Sequence, residues 1–196
     1  YVDDDWYGKG GNGSTNAPYG SIQEAIDAET TLDGHTILVL PGVYTNGVNN
    51  EYHYESGGQQ YGYPCRVYVD KKLTIRSTDG REKTHIVGYA DPTGNHGIGP
   101  NAIACVVIAA DYVVIDGFTI RDGHTLTTAH GMGGGVYGKT SAHLIDCTVR
   151  DCASRNGPVS YINVHRCQIG PNNGWGSNSG GLYGAPAENS IIVGNL

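Results

Sequence analysis

VVIDGFTIRDG, at Val113 to Gly123, decides how the chain is read. It returns as HLIDCTVRDC at His143 to Cys152, as INVHRCQIG at Ile162 to Gly170, and as NSIIVG at Asn189 to Gly194. In each copy two short apolar pieces flank a polar corner. Aligning Phe118, Cys147, Cys167 and Ile191 gives steps of about 29, 20 and 24 residues. Two places further on stand Ile120, Val149, Ile169 and Val193, with Thr119, Thr148, Gln168 or Ile192 between. Inward, outward, inward is the period of a strand. A strand-sized unit that keeps returning is the mark of a solenoid.

The pattern extends in both directions. CRVYVDKKLTI (Cys65 to Ile75) matches CVVIAADYVVI (Cys105 to Ile115) position for position, which pairs Cys65 with Cys105. Each holds two strands, and THIVG (Thr84 to Gly88) and GFTI (Gly117 to Ile120) supply a third. GGGVYG at Gly133, PVSYI at Pro158 and GGLYG at Gly180 open the later triplets. The expectation is an all-β, right-handed parallel β-helix with three strands per turn and about five turns. It forms one domain over 1–196.

Residues 1–45 are expected to form the N-terminal cap and first turn. Tyr1 to Asp5 reads as a short strand with an acidic end, and Trp6 to Gly20 as a loop. Ser21-Ile22-Gln23-Glu24 is a capping-box pattern, with Ile22, Ala25 and Ile26 on one face. It predicts a short helix from Ser21 to about Glu29, whose apolar stripe caps the open bottom of the solenoid. Residues 46–64 are a polar loop carrying Tyr52, Tyr54, Tyr61 and Tyr63. A loop that long is often functional. It reads either as a flap over the first turn or as a stacking surface for sugars or a neighbouring chain. Residues 65–196 are the regular turns. The apolar tail Ile191, Val193 and Leu196 leaves three options at that end: further turns of a longer chain, stacking of chains, or a plug.

Bulk composition narrows the classes. The 196 residues include 31 Gly and 14 Tyr, and only 16% are charged, which suits a chain of many tight corners. A net charge of −7 counts against a nucleic-acid partner. No apolar run approaches the ~20 residues of a membrane helix, so no membrane insertion is expected. The abrupt opening on Tyr1-Val2 reads as a processed or trimmed chain.

Cys65, Cys105, Cys147, Cys152 and Cys167 have neither a C-x-x-C pair nor zinc spacing. Cys147 and Cys167 read as stacked core residues, and a bridge between neighbouring turns stays open. Asp116 with Asp146, and Asp122 with Asp151, fall at matching repeat positions. They could supply a glycosidase pair, but repeated ID and RD dipeptides read better as corners that hydrogen-bond the turn backbone. Arg121 and Arg150 are expected to neutralise the neighbouring aspartates. The loop from Gly123 to Gly134 is the best place for an acid–base set, with Asp122, His124 and His130 as catalytic candidates. Asp3, Asp4 and Asp5 are candidates for a structural calcium; no other cofactor is implied. Trp6 and Trp175 join the four loop tyrosines as candidate contacts for a ligand or partner.

The opening YVDDDW…GNGS…PYGSIQEAIDA…DGHTILVLPGVYT resembles the start of secreted bacterial right-handed parallel β-helix proteins of the pectate-lyase-like superfamily. The IDGFTIRDG, GGGVYG, LIDCTVRDC series is similar to their repeat region, above all in mostly uncharacterised surface proteins of that type. The resemblance implies a secreted, extracellular or cell-surface protein. Its members include polysaccharide lyases and glycoside hydrolases as well as adhesins and proteins without known activity, and a shared fold does not transfer a reaction. The acidic metal cluster of the lyases has no counterpart here. The leading expectation is a non-catalytic structural or surface module that binds polysaccharide or copies of itself, in a filament for example. The alternative is a polysaccharide lyase or hydrolase.

Overall fold

The computed structural model describes residues 1–56, 58–126, 132–174 and 180–196, the side chains of Tyr54 and Ser56 apart. The chain is nearly all β, with parallel sheets and one α-helix, an architecture compatible with a parallel β-helix. The first sheet holds Cys65–Val69, Ala104–Ile108, Val136–Tyr137, Val159–Ser160 and Leu182–Tyr183. The second holds Thr36–Val39, Thr74–Ser77, Val114–Asp116, His143–Ile145, Asn163–His165 and Ala187–Glu188. The third holds Gly42–Tyr44, Thr84–Val87, Thr119–Arg121, Thr148–Arg150, Gln168–Ile169 and Ile191–Ile192. In all three, neighbours pair in chain order.

Parallel register with a period of two stacks like upon like. Ile37, Ile75, Ile115, Leu144 and Val164 form one buried column. Tyr44, Ile86, Ile120, Val149 and Ile169 form a second. Val67, Val106, Val136 and Val159 form a third. All belong to one core between the sheets.

Helix α1 (Ile22–Asp27) covers the lower end. The Ser21 hydroxyl accepts from the Glu24 N–H at 3.1 Å, and the Glu24 carboxylate accepts from the Gly20 N–H at 2.9 Å. Ile22, Ala25 and Ile26 are buried in the core. Gln23 completes the edge of the first sheet: its Oε1 accepts from the Tyr68 N–H at 2.7 Å and its Nε2 donates to the Tyr68 carbonyl. The helix stops before Glu29, with Ala28 as its C-cap.

Five expectations are corrected. The strand at the start ends at Val2, because Asp3 accepts from the Asp5 N–H and caps a 3-10 turn, Asp4–Trp6. The loop at 46–64 contains an antiparallel hairpin, His53–Ser56 with Gln59–Gly62. Cys65 pairs with Ala104, not Cys105. Ala104–Ile108 is buried on both faces, so its alternation carries no phase to fix the match. Asp116 pairs with Ile145, so Asp116 and Asp146 are not equivalent. Ile191 pairs with Gln168, and Ile192 with Ile169. The residue that follows Phe118, Cys147 and Cys167 is therefore Ser190, and Ile192 rather than Val193 continues the Ile120 column.

The corners explain what these residues share. Gly117, Asp146, Arg166 and Asn189 each follow a strand of the second sheet, and all four have positive φ, +82° at Gly117 and 50–53° at the others. The left-handed turn leaves the next N–H pointing along the stack. Phe118 donates it to Cys147 Sγ at 3.4 Å, Cys147 to Cys167 Sγ at 3.3 Å, and Cys167 to Ser190 Oγ at 3.0 Å. At the far side of the third sheet, Asp122 and Asp151 take the same left-handed conformation. There Cys152 N–H donates to Asn172 Oδ1 at 3.0 Å, and Asn172 Nδ2 to Asn195 Oδ1 at 3.1 Å. All five cysteines are buried free thiols.

Candidate functional site

The outer face of the first sheet carries a row of tyrosine rings. Register places Tyr68, Val107, Tyr137, Ser160 and Tyr183 in one outward column. Two of the five are not aromatic, and a tyrosine from elsewhere fills each gap. Tyr52, beside the hairpin, lies 6.1 Å from the Tyr68 ring and 5.7 Å from the Tyr137 ring. Tyr161, at a left-handed corner, lies 6.0 Å from Tyr137 and 5.4 Å from Tyr183. The last two contacts are edge-to-face, at 90° and 84°, the favoured packing of aromatic quadrupoles. Gly184 has no side chain to collide with the Tyr161 ring, which a Cβ would approach to 2.9 Å.

The row changes character along its length. At the lower end the 46–64 segment closes over the sheet. Tyr63 is buried beside Cys65, Ala104, Val107 and Met132, and its hydroxyl donates to the Gly133 carbonyl at 3.0 Å. Tyr63 therefore leaves the set of contact candidates: it anchors the flap. Tyr52 is half-buried, and burial, aided by the Tyr137 hydroxyl, raises its phenol above the ordinary range. Tyr137 and Tyr161 are partly buried, and Tyr183 is 36% exposed. That half offers apolar ring surface with polar tips to solvent, across strands held roughly 4.8 Å apart.

A cleft of about 340 Å³ opens on another side, lined by His96, His124, Asp151, Asn172, Asn173 and Leu196 among others. His124 Nδ1 sits 3.0 Å from the Asp122 carbonyl, so that nitrogen carries the hydrogen. Burial lowers the His124 pKa and keeps the ring neutral. His96 Nδ1 lies 3.1 Å from Asn173 Nδ2. Of the catalytic candidates, His124 reaches this cleft. The Asp122 side chain is at the corner, ion-paired to Arg121, as Asp151 is to Arg150. Asp146 accepts two bonds from Arg166, at 2.9 and 2.6 Å, and Asp116 pairs with Arg76 at 2.7 Å. Each aspartate of the repeats thus has its own arginine, and three of the four sit at left-handed corners. His130, Trp175 and the Tyr54 side chain lie outside the described residues.

Four of the remaining candidates have local partners. Asp3 caps the 3-10 turn, and Asp4 Oδ2 accepts from the Val43 N–H at 2.8 Å. Among the described residues, no group of three or more His, Cys, Asp and Glu is set to hold a metal ion. The Trp6 ring lies under Lys9 Nζ at 5.3 Å, and the Tyr61 hydroxyl donates to Gln59 at 2.8 Å. Sequence reasoning missed Tyr68, Tyr137, Tyr161, Tyr183 and His96. The signal for three of them was present: VYG, SYI and LYG each place a tyrosine after the inward residue or one further on. Comparison with protein-family models, with curated proteins and with solved structures found no match to this chain.

Proposed function

We propose that the chain is an extracellular, non-catalytic glycan-binding module built on a right-handed parallel β-helix of three strands per turn and about five turns, akin to the pectate-lyase-like superfamily. The observation that carries the reading is the continuous row from Tyr68 to Tyr183. Aromatic faces with polar edges suit pyranose rings, whose C–H faces are apolar and whose rims are hydroxylated. A rigid sheet beneath holds the rings in place and lowers the ordering cost of binding. The paired aspartates, each neutralised by an arginine, support a non-catalytic role, since a glycosidase needs one carboxyl held as an acid.

The test is affinity electrophoresis through gels cast with acidic or neutral polysaccharides. Tyr137→Ala and Tyr183→Ala are each expected to weaken retardation about tenfold, close to 1.4 kcal/mol. Tyr112→Ala, whose ring faces Lys72, should leave it unchanged. Retardation by no polysaccharide, or retardation indifferent to both row variants, overturns the reading.

A second reading, a polysaccharide lyase or hydrolase, is favoured by one observation: a neutral His124 in a cleft with His96 and Asp151. It predicts new reducing ends or unsaturated-product absorbance on incubation with acidic polysaccharides, lost in His124→Ala.

A further inference from the structure

We infer that His143 and His165, on the outer face of the second sheet, form a two-histidine site for a divalent transition-metal ion, oriented by Glu188. His143 is in register with Asn163, and His165 with Ile145 and Glu188, so the two rings meet on a diagonal between adjacent strands. His143 Nδ1 and His165 Nε2 are 3.1 Å apart, with ring centroids 5.2 Å apart and planes tilted 31°. On the other side of the ring, His165 Nδ1 lies 3.5 Å from Glu188 Oε2.

Glu188 lies within ion-pair range of His165 Nδ1, which favours the tautomer with the hydrogen on that nitrogen and a lone pair on Nε2. The hydrogen between the rings then belongs to His143 Nδ1. A carboxylate that fixes a histidine tautomer with the far nitrogen free is the outer-shell arrangement of metal-binding imidazoles. The spacing fits as well. With metal–nitrogen bonds of ~2.0–2.1 Å, two nitrogens on one ion stand roughly 2.9 Å apart at a right angle and roughly 3.3 Å at the tetrahedral angle. When the ion enters, the hydrogen on His143 moves from Nδ1 to Nε2, so neither ring loses a net proton.

The surroundings leave the pair for this use. The Asn163 amide donates to the Thr140 and Ala142 carbonyls. Arg166 is held by Asp146 and Arg76 by Asp116, so the nearby cations are neutralised. The His165 side chain is 27% exposed, which leaves the remaining coordination positions to water or to ligand oxygens. Imidazole pairs of this kind take Zn²⁺, Ni²⁺ and most strongly Cu²⁺.

The experiment is calorimetric titration of the tag-free 196-residue chain with Zn²⁺, and Cu²⁺ electron paramagnetic resonance to count bound nitrogens. One ion per chain and a two-nitrogen copper spectrum are expected. His143→Ala and His165→Ala should each weaken Zn²⁺ at least tenfold, and Glu188→Gln about tenfold. His96→Ala and His124→Ala should leave it unchanged. Far-UV circular dichroism verifies that each variant is folded. Absence of saturable binding, or an affinity indifferent to His143→Ala and His165→Ala, overturns the site. Neither result touches the tyrosine row, which lies on a different sheet.

Discussion

At the scale of single residues, Cys147 and Cys167 act as acceptors. The buried corner N–H groups of Phe118 and Cys147 find a sulfur, and that of Cys167 finds the Ser190 oxygen. Removing such an acceptor leaves a buried donor unpaired, at a cost of about 1–3 kcal/mol. Cys167→Ala is expected to lose that amount in urea unfolding. Cys167→Ser should lose less, because a hydroxyl already serves the same purpose at 190. Burial also raises the Cys147 thiol, and raises Cys65 to about 12, which keeps both from forming thiolate. Because all five thiols are buried, Ellman's reagent should react slowly with the native chain and titrate five thiols in denaturant. The sequence made the Phe118, Cys147 and Cys167 stack legible through spacing alone. It hid Ser190, because an apolar alignment prefers Ile191, and the hydrogen bond that recruits serine has no hydropathy.

At the scale of elements, the loop from Tyr89 to Ile103 hangs on one carboxylate. Asp91 is 1% exposed and accepts from the Asn101 N–H at 3.0 Å, the Thr93 N–H at 2.9 Å and the Thr93 hydroxyl at 2.7 Å. The Asn101 bond is the largest cause, followed by those of Thr93, of a pKa lowered to about 2. The sign follows from linkage: with a folded pKa below the unfolded value near 3.8, the contribution is complete above about pH 4 and fades as pH falls toward 2. Amide protection factors in this loop should fall over that window, and Asp91→Asn should abolish the dependence. The helix cap was legible from Ser21 and Glu24, since both act locally. The hairpin at 53–62 was not. Its second strand, Gln59–Gly62, lacks alternating burial, and its place is set by Tyr63, whose pocket is assembled from distant strands. The strand at 104–108 was found, but not its phase.

At the scale of the whole molecule, the parallel sheets predict a gradient of protection. Central strands have partners on both sides, whereas Leu182–Tyr183, Ala187–Glu188 and Ile191–Ile192 have one each among the described residues. Ile192 is 45% exposed, and Ile120 and Val149 are fully buried. In the 196-residue chain, hydrogen exchange at Ile192 should be faster by orders of magnitude than at Ile120 or Val149. Uniform protection from Ile120 to Ile192 would contradict this. The architecture was readable because a stacked repeat writes its register into the sequence many times over. The tyrosine row was legible only in pieces, because its continuity depends on Tyr52 and Tyr161, which enter from outside the column.

Three corner N–H bonds run one way. Phe118 leans on Cys147, Cys147 on Cys167, and Cys167 on Ser190. The stack therefore has a direction, like masonry in which every course is locked by the one laid above. A chain emerging from its N-terminus would always carry one incomplete course at the growing face, and lengthening it is what seals the previous one.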